Sequence, residues 1–262
     1  VSSCLWIFLG SGILTAASPQ NPSPMVEHTR EHPRLKQKAR SGTHFQLSLG
    51  RLYVPGGSGR LVRGLPLLIH FHGPGWIAEQ AAEMNGSACL SLELGSGSAV
   101  YAKPFRQRSR FLELLEEAES RAGFSFTVVT LSGWSAGCGA IREILKDPAN
   151  DSRVGRVILI DGVHTSYRGG SPGPLESDID PEPLASLVRF ARRSIAKEKS
   201  MLVTHSAIFP GTYASTTETA DWMLRELKVP RAAVLKWGPM KTQQLSEAKN
   251  GSFELIGFAG NS

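Results

Sequence analysis

From residue 44 onward the chain alternates between two rhythms. Short apolar runs, the mark of strands, are separated by stretches in which apolar side chains recur every three or four positions, the mark of helices. The strand-like runs are 67–71, 88–94, 124–131, 154–160, 201–204, 232–237 and 253–258, and the helix-like stretches are 76–84, 111–122, 136–145, 184–196 and 217–227. Residues 44–54 and 61–62 predict an opening hairpin around Gly56-Gly57-Ser58-Gly59. The run Leu67-Leu68-Ile69-His70-Phe71 is apolar apart from His70, as a strand covered on both faces must be, and Pro66 is tolerable at its start. Strands separated by helices predict an α/β fold with a doubly wound, mostly parallel sheet and helices on both faces, because parallel neighbours need a crossover and the crossover is usually a helix.

Before residue 43 neither rhythm holds. The first twenty residues carry no charge, and 4–17 form an apolar run shorter than the roughly 20 residues of a spanning helix, ending in Thr15-Ala16-Ala17-Ser18. This is the pattern of a signal peptide over 1–17, with a buried strand or a retained anchor as the alternative. Residues 18–42 combine Pro19, Pro22, Pro24 and Pro33 with five basic side chains and predict a flexible linker. That leaves 43–262 as one folded domain in a protein expected to be exported. The opening Val and the short tail after 253–258 add the expectation that the domain is cut short at its C-terminus.

Composition sharpens this picture little. A hydrophobic share of 41% with 20% charged residues excludes disorder and disulfide scaffolds. Of the net charge of +6, half sits in the linker, where Arg30, Arg34, Lys36, Lys38 and Arg40 outweigh Glu27 and Glu31, so basicity predicts no nucleic-acid partner. Loss of 1–17 would remove Cys4. Cys89 and Cys138 could then form one disulfide, but their apolar settings favour two buried thiols.

The chemistry concentrates at Gly133-Trp134-Ser135-Ala136-Gly137, which follows a strand-like run and leads straight into a helix. A serine on so sharp a turn has a strained backbone and an exposed hydroxyl, while the helix start at Ala136 supplies N–H groups where an oxyanion would form. Gly169-Gly170-Ser171-Pro172-Gly173 matches the same pattern, yet Pro172 has no N–H and no strand precedes it, so Ser171 reads as a loop residue. Upstream, the buried strand ends in His72-Gly73-Pro74-Gly75-Trp76, where Gly73, Gly75 and Trp76 are candidate donors to an oxyanion and Pro74 is not. The alternative there is a tight turn with a structural histidine.

The strand ending in His72-Gly73, the elbow at Ser135 and the alternation of strands and helices resemble the α/β-hydrolase superfamily over 44–262. The stretch from Ile160 to Tyr167 is similar to exported bacterial hydrolases of undefined substrate. The resemblance implies a serine, an acid and a histidine in that order along the chain. Asp161 then becomes the expected acid, since the next strand ends in Thr204-His205-Ser206 with no carboxylate, with a helix or turn cap as its alternative role. The histidine is open between His205 at a strand end, His164 three residues after Asp161, and a residue beyond Ser262.

These residues predict a serine hydrolase acting on a small acyl substrate, with no cofactor, no metal and no membrane contact after signal removal. A non-catalytic binding protein of the same fold is the first alternative. A metal-dependent hydrolase built on Asp161, His164 and His205 is the second, and it lacks a His-Glu-x-x-His or paired-cysteine motif. The acidic loop Glu176, Asp178, Asp180 and Glu182 lacks the glycine of a calcium-binding loop and reads as solvated. No Gly-x-Gly-x-x-Gly and no phosphate loop occurs, which disfavours nucleotide cofactors.

Overall fold

The structure, a computed structural model, describes residues 36–38, 40–57, 64–170, 178–210 and 212–260. The signal-peptide pattern, most of the linker, Ser171 and Glu176 lie outside the described residues. Ten strands form one sheet: β1 (Gly42–Gln46), β2 (Arg51–Pro55), β3 (Leu67–Phe71), β4 (Ala88–Leu92), β5 (Val129–Trp134), β6 (Val154–Ile160), β7 (Ser200–Ser206), β8 (Ala232–Trp237), β9 (Gln243–Asn250) and β10 (Phe253–Phe258). Their spatial order is β1-β2-β4-β3-β5-β6-β7-β10-β9-β8. The six central strands run parallel, while β1 and β2 at one side and β8 and β9 at the other pair antiparallel.

Side-chain alternation explains why both faces need cover. Leu67, Ile69 and Phe71 of β3 point one way into the main core, and Leu68 points the other way onto Tyr53, Ala78, Ala82 and Cys89. Helix α1 (Gly75–Met84) supplies Ala78 and Ala82 and covers this second face over β3 and β4. The main core is closed by α3 (Arg110–Ala122), α4 (Cys138–Ile144), α6 (Ala185–Ile195) and α7 (Thr216–Leu227), with the short α2 (Ser98–Ala102) and α5 (Pro148–Arg153) beside them. Cys89 and Cys138 are both buried and unpaired, each in a different core cluster. Among the described residues no helix is long and apolar enough to cross a membrane.

Several boundaries depart from the sequence pattern. A hairpin of β1 and β2 turns at 47–50, where the Leu47 N–H donates to the Gly50 carbonyl at 3.1 Å, while Ser58, Gly59 and 61–62 of the expected turn lie outside the described residues. The run 124–131 becomes strand only from Val129, because Phe124 and Phe126 pack edge to face on one another instead of joining the ladder. Strand β9, Gln-Gln-Leu-Ser-Glu-Ala-Lys-Asn, carries no apolar alternation, since its inward positions are Gln244, Ser246 and Ala248. Pattern reading therefore passes over it.

The linker is also shorter than 18–42. Arg40 is 8% exposed and belongs to the folded body, its Nη2 2.6 Å from Glu79 of α1 and its Nη1 2.6 Å from the Trp76 carbonyl. Glu79 is fully buried and shares its carboxylate with Arg51 at 2.8 Å and His44 at 3.3 Å. Two guanidinium groups and an imidazole around one buried acid tie β1 and β2 to the helix that follows the candidate oxyanion loop.

Candidate active site

The strand order reverses direction about β3, with β4 on one side and β5 on the other, and doubly wound sheets place their sites outside the C-terminal ends of strands at such a point. Three non-glycine residues there have left-handed backbone: His72 (φ 70°) after β3, Ser135 (φ 43°) after β5 and Asp161 (φ 44°) after β6. Each such conformation costs on the order of 1–3 kcal/mol and persists only where the surroundings enforce it. The three neighbouring strand tips thus all carry strain. At the elbow the enforcing contact is Gly137, where a Cβ would strike the Phe71 carbonyl, so only glycine lets the turn after β5 lie against the end of β3.

Ser135 opens onto a cavity of about 500 Å³ whose wall includes His72, Ala136, Arg142, His164, Ser166 and Tyr213. Among the described residues the Ser135 hydroxyl has no hydrogen-bond partner. Ala136 sits in the first turn of the helical segment, where backbone N–H groups lack intrahelical acceptors. The Gly73 N–H is likewise bonded to no group among the described residues. Gly75 is a different case, because its N–H donates to Glu93 Oε1 at 2.6 Å. It is therefore withdrawn as an oxyanion donor. Gly73, Gly75 and Trp76 all line the adjoining cavity, which meets that of Ser135 at His72 and Ser96.

The His72 ring is held on three sides. It stacks on Trp134 with centroids 5.3 Å apart, meets Tyr101 edge to face, and has Nδ1 2.9 Å from the Tyr101 hydroxyl. That hydroxyl also accepts the Leu94 N–H at 3.1 Å. His72 borders both the Ser135 cavity and the adjoining one.

The acid and the base stand apart from the expected arrangement. Asp161 is bonded by the Ser206 N–H (2.9 Å), the Ser206 hydroxyl (2.8 Å) and the Thr216 hydroxyl (2.7 Å). It clamps the ends of β6, β7 and α7 together and touches no imidazole among the described residues. His205 is placed elsewhere altogether. It is 5% exposed, does not line the Ser135 cavity, and its Nδ1 lies 3.1 Å from Thr217 Oγ1. Thr217 gives its only proton to the Ser206 carbonyl, so Nδ1 must be the donor and the bare Nε2 is buried over Gly257 without a partner. The reason is strand parity: Ser206 turns toward Asp161, so its neighbour His205 turns to the opposite face.

His164 does share the cavity with Ser135. Its carbonyl accepts from Arg142 Nη1 at 2.8 Å, and its ring lies 5.4 Å from that of Tyr213. Burial, with the Arg142 cation second, pushes its pKa down to about 4, so the ring is neutral at pH 7. The loop bearing it is anchored by the Thr165–Ala214 bridge and by Tyr167, whose hydroxyl donates to Glu218 in the capping box of α7. Among the described residues no cluster of three His, Cys, Asp or Glu side chains could hold a metal, and Asp161, His164 and His205 do not converge. Of the acidic loop, Asp178 pairs with Arg168 and Asp180 accepts the Glu182 N–H, as a solvated loop would.

Burial pushes His205 to about 4 as well, with the Arg231 cation second. An imidazole titrating near 6.5 when unfolded and near 4 when folded binds more protons in the unfolded state between those values, so stability is full above pH 6.5 and falls as pH drops toward 4. For His205 alone the loss is about 3 kcal/mol. Urea unfolding at a series of pH values should show it, and His205→Gln should flatten that slope. An unchanged slope would exclude a buried neutral His205.

No protein-family model matches the chain, and no curated protein does. Solved structures of similar fold include a serine-to-alanine variant of LAE6, an α/β-hydrolase enzyme from the metagenome of Lake Arreo, Spain, at 15% identity over 90% of this chain and 77% of that one, with a TM-score of 0.49. Thermogutta terrifontis esterase 2, phosphoramylated by tabun, is 16% identical over 88% and 86% of the two chains, with a TM-score of 0.48. Pyrococcus horikoshii acylaminoacyl peptidase is 15% identical over 74% of this chain, with a TM-score of 0.42, and this chain spans only 36% of its length.

Proposed function

We propose that this chain, whose strand order and strained turn after β5 make an α/β-hydrolase fold, is a serine hydrolase of carboxylic esters or similar acyl compounds. The observation that carries the reading is Ser135 at φ 43° on a strand-to-helix turn, unbonded and facing a cavity that also holds a neutral imidazole. In this reading Ser135 Oγ attacks the acyl carbon while His164 accepts the hydroxyl proton. The Ala136 and Gly73 N–H groups stabilise the oxyanion. The ester C–O bond then breaks, the alcohol leaves with the proton from His164, and water releases the acid by the same steps in reverse. Asp161 acts as a positioning residue, since its three bonds hold the strand tip from which the His164 loop departs.

A fluorophosphonate probe should label the protein once, at Ser135, as read by peptide mass. The rate of labelling should fall below about pH 4, where His164 becomes protonated, instead of below 6.5. His164→Gln should slow labelling by a factor on the order of 10²–10⁴, the usual worth of a positioned general base. Labelling with an acid limb near 6.5 would move the base to another histidine.

The unengaged Ser135 hydroxyl and the fully bonded Asp161 carboxylate also favour a second reading, a binding protein that keeps the fold without turnover. Absence of labelling in a folded protein would establish it.

A further inference from the structure

The cavity over Ser135 is bordered by a cation that pairs with no acid among the described residues. Arg142 lies on α4, about two helical turns beyond the elbow, and forms part of the cavity wall. One of its five N–H donors is spent on the His164 carbonyl. Among the described residues Arg142 joins no ion pair, and no Asp or Glu lines the cavity. Glu143 and Glu182 act on it only through space, from outside that wall. The remaining lining is rich in hydrogen-bonding groups, among them Ser98, Thr165, Ser166 and Tyr213.

Holding a guanidinium at a partly desolvated wall is costly unless something negative completes it, and a planar fork of donors matches a carboxylate bidentately. We propose that Arg142 selects substrates bearing a carboxylate, so that the site hydrolyses esters whose anionic group sits a short chain away from the reacting carbonyl. The proposal rests on Ser135 as the nucleophile. The carboxylate can belong to the acyl part or to the alcohol part, and the two are separated by the choice of ester.

Binding is measured first, on Ser135→Ala protein, which cannot turn over. Monomethyl glutarate should bind about tenfold or more tightly than dimethyl glutarate, as a charge-assisted bidentate contact requires. Arg142→Gln should bring the two within about twofold, and Arg142→Lys, which keeps the charge but not the fork, should fall between. Equal binding of the two esters by Ser135→Ala protein would overturn the proposal without any change at Arg142, as would a preference that survives Arg142→Gln. Turnover by the unsubstituted protein then compares 4-nitrophenyl hydrogen glutarate with 4-nitrophenyl butyrate, and 4-acetoxybenzoate with its methyl ester. The pair showing the larger ratio of kcat/KM places the carboxylate on the acyl or the alcohol side. A binding preference without labelling of Ser135 would leave the anion selectivity of Arg142 standing and overturn the nucleophile alone.

Discussion

Ser135→Ala is expected to abolish hydrolysis, with a fall in kcat on the order of 10⁶, the size of loss seen when a serine nucleophile is removed from an otherwise intact site. The change deletes one oxygen and keeps Cβ, so the backbone cost of φ 43° is the same before and after, and so is the contact of Gly137 with the end of β3. Fold and cavity should survive, which near-ultraviolet circular dichroism and an unchanged thermal midpoint would show. The remaining oxyanion donors at Ala136 and Gly73 cannot rescue the reaction, because they stabilise charge that forms only after attack. Hydrolysis of a short-chain nitrophenyl ester at more than a few per cent of the parental rate would assign the nucleophile to another residue. Labelling that moves to Ser98 or Ser166, both on the cavity wall, would name it.

The largest effect on stability is expected at Glu79. Its carboxylate is fully buried between Arg40, Arg51 and His44, and Glu79→Gln keeps the shape while removing the charge that two guanidinium groups are folded around. Removing one partner of a buried ionic group costs about 3–5 kcal/mol, because here the Arg40 charge remains buried and unanswered, while Arg51 is half exposed. Arg40, at 8% exposure, has the least access to water as compensation. For a domain of this size that corresponds to a lowering of the thermal midpoint by about 10 °C. Glu79→Leu with Arg40→Leu should recover part of the loss, since replacing a whole buried ionic group by apolar side chains is often neutral. A midpoint within about 2 °C of the parent in Glu79→Gln would show that the cluster carries little net stability.

Much of the frame was legible because it is encoded locally. β3, β6, β8 and β10 fall on the runs the alternation predicts, and α1, α3, α6 and α7 begin and end within one or two residues of their patterns. The elbow was legible for a similar reason: a serine between glycines, with a strand before and a helix after, leaves the chain few other conformations. β9 was hidden because its buried face is made of Gln244, Ser246 and Ala248, so hydropathy carries no period there.

What sequence alone determined, then, is the order of elements and the position of Ser135, since both follow from periodicities of a few residues and from the sterics of glycine. The tertiary structure decided which side chains meet there. His205 stood at a strand end and looked available, yet it shares its parity with the buried Met201 and Val203 and is turned into the packing against α7, a signal present in the sequence but decided by which face α7 covers. Gly75 lost its candidacy to Glu93, eighteen residues away, and Arg40 left the linker for Glu79, thirty-nine residues away. Hydrogen bonds and ion pairs of that span depend on which strands lie side by side, and no local pattern records it.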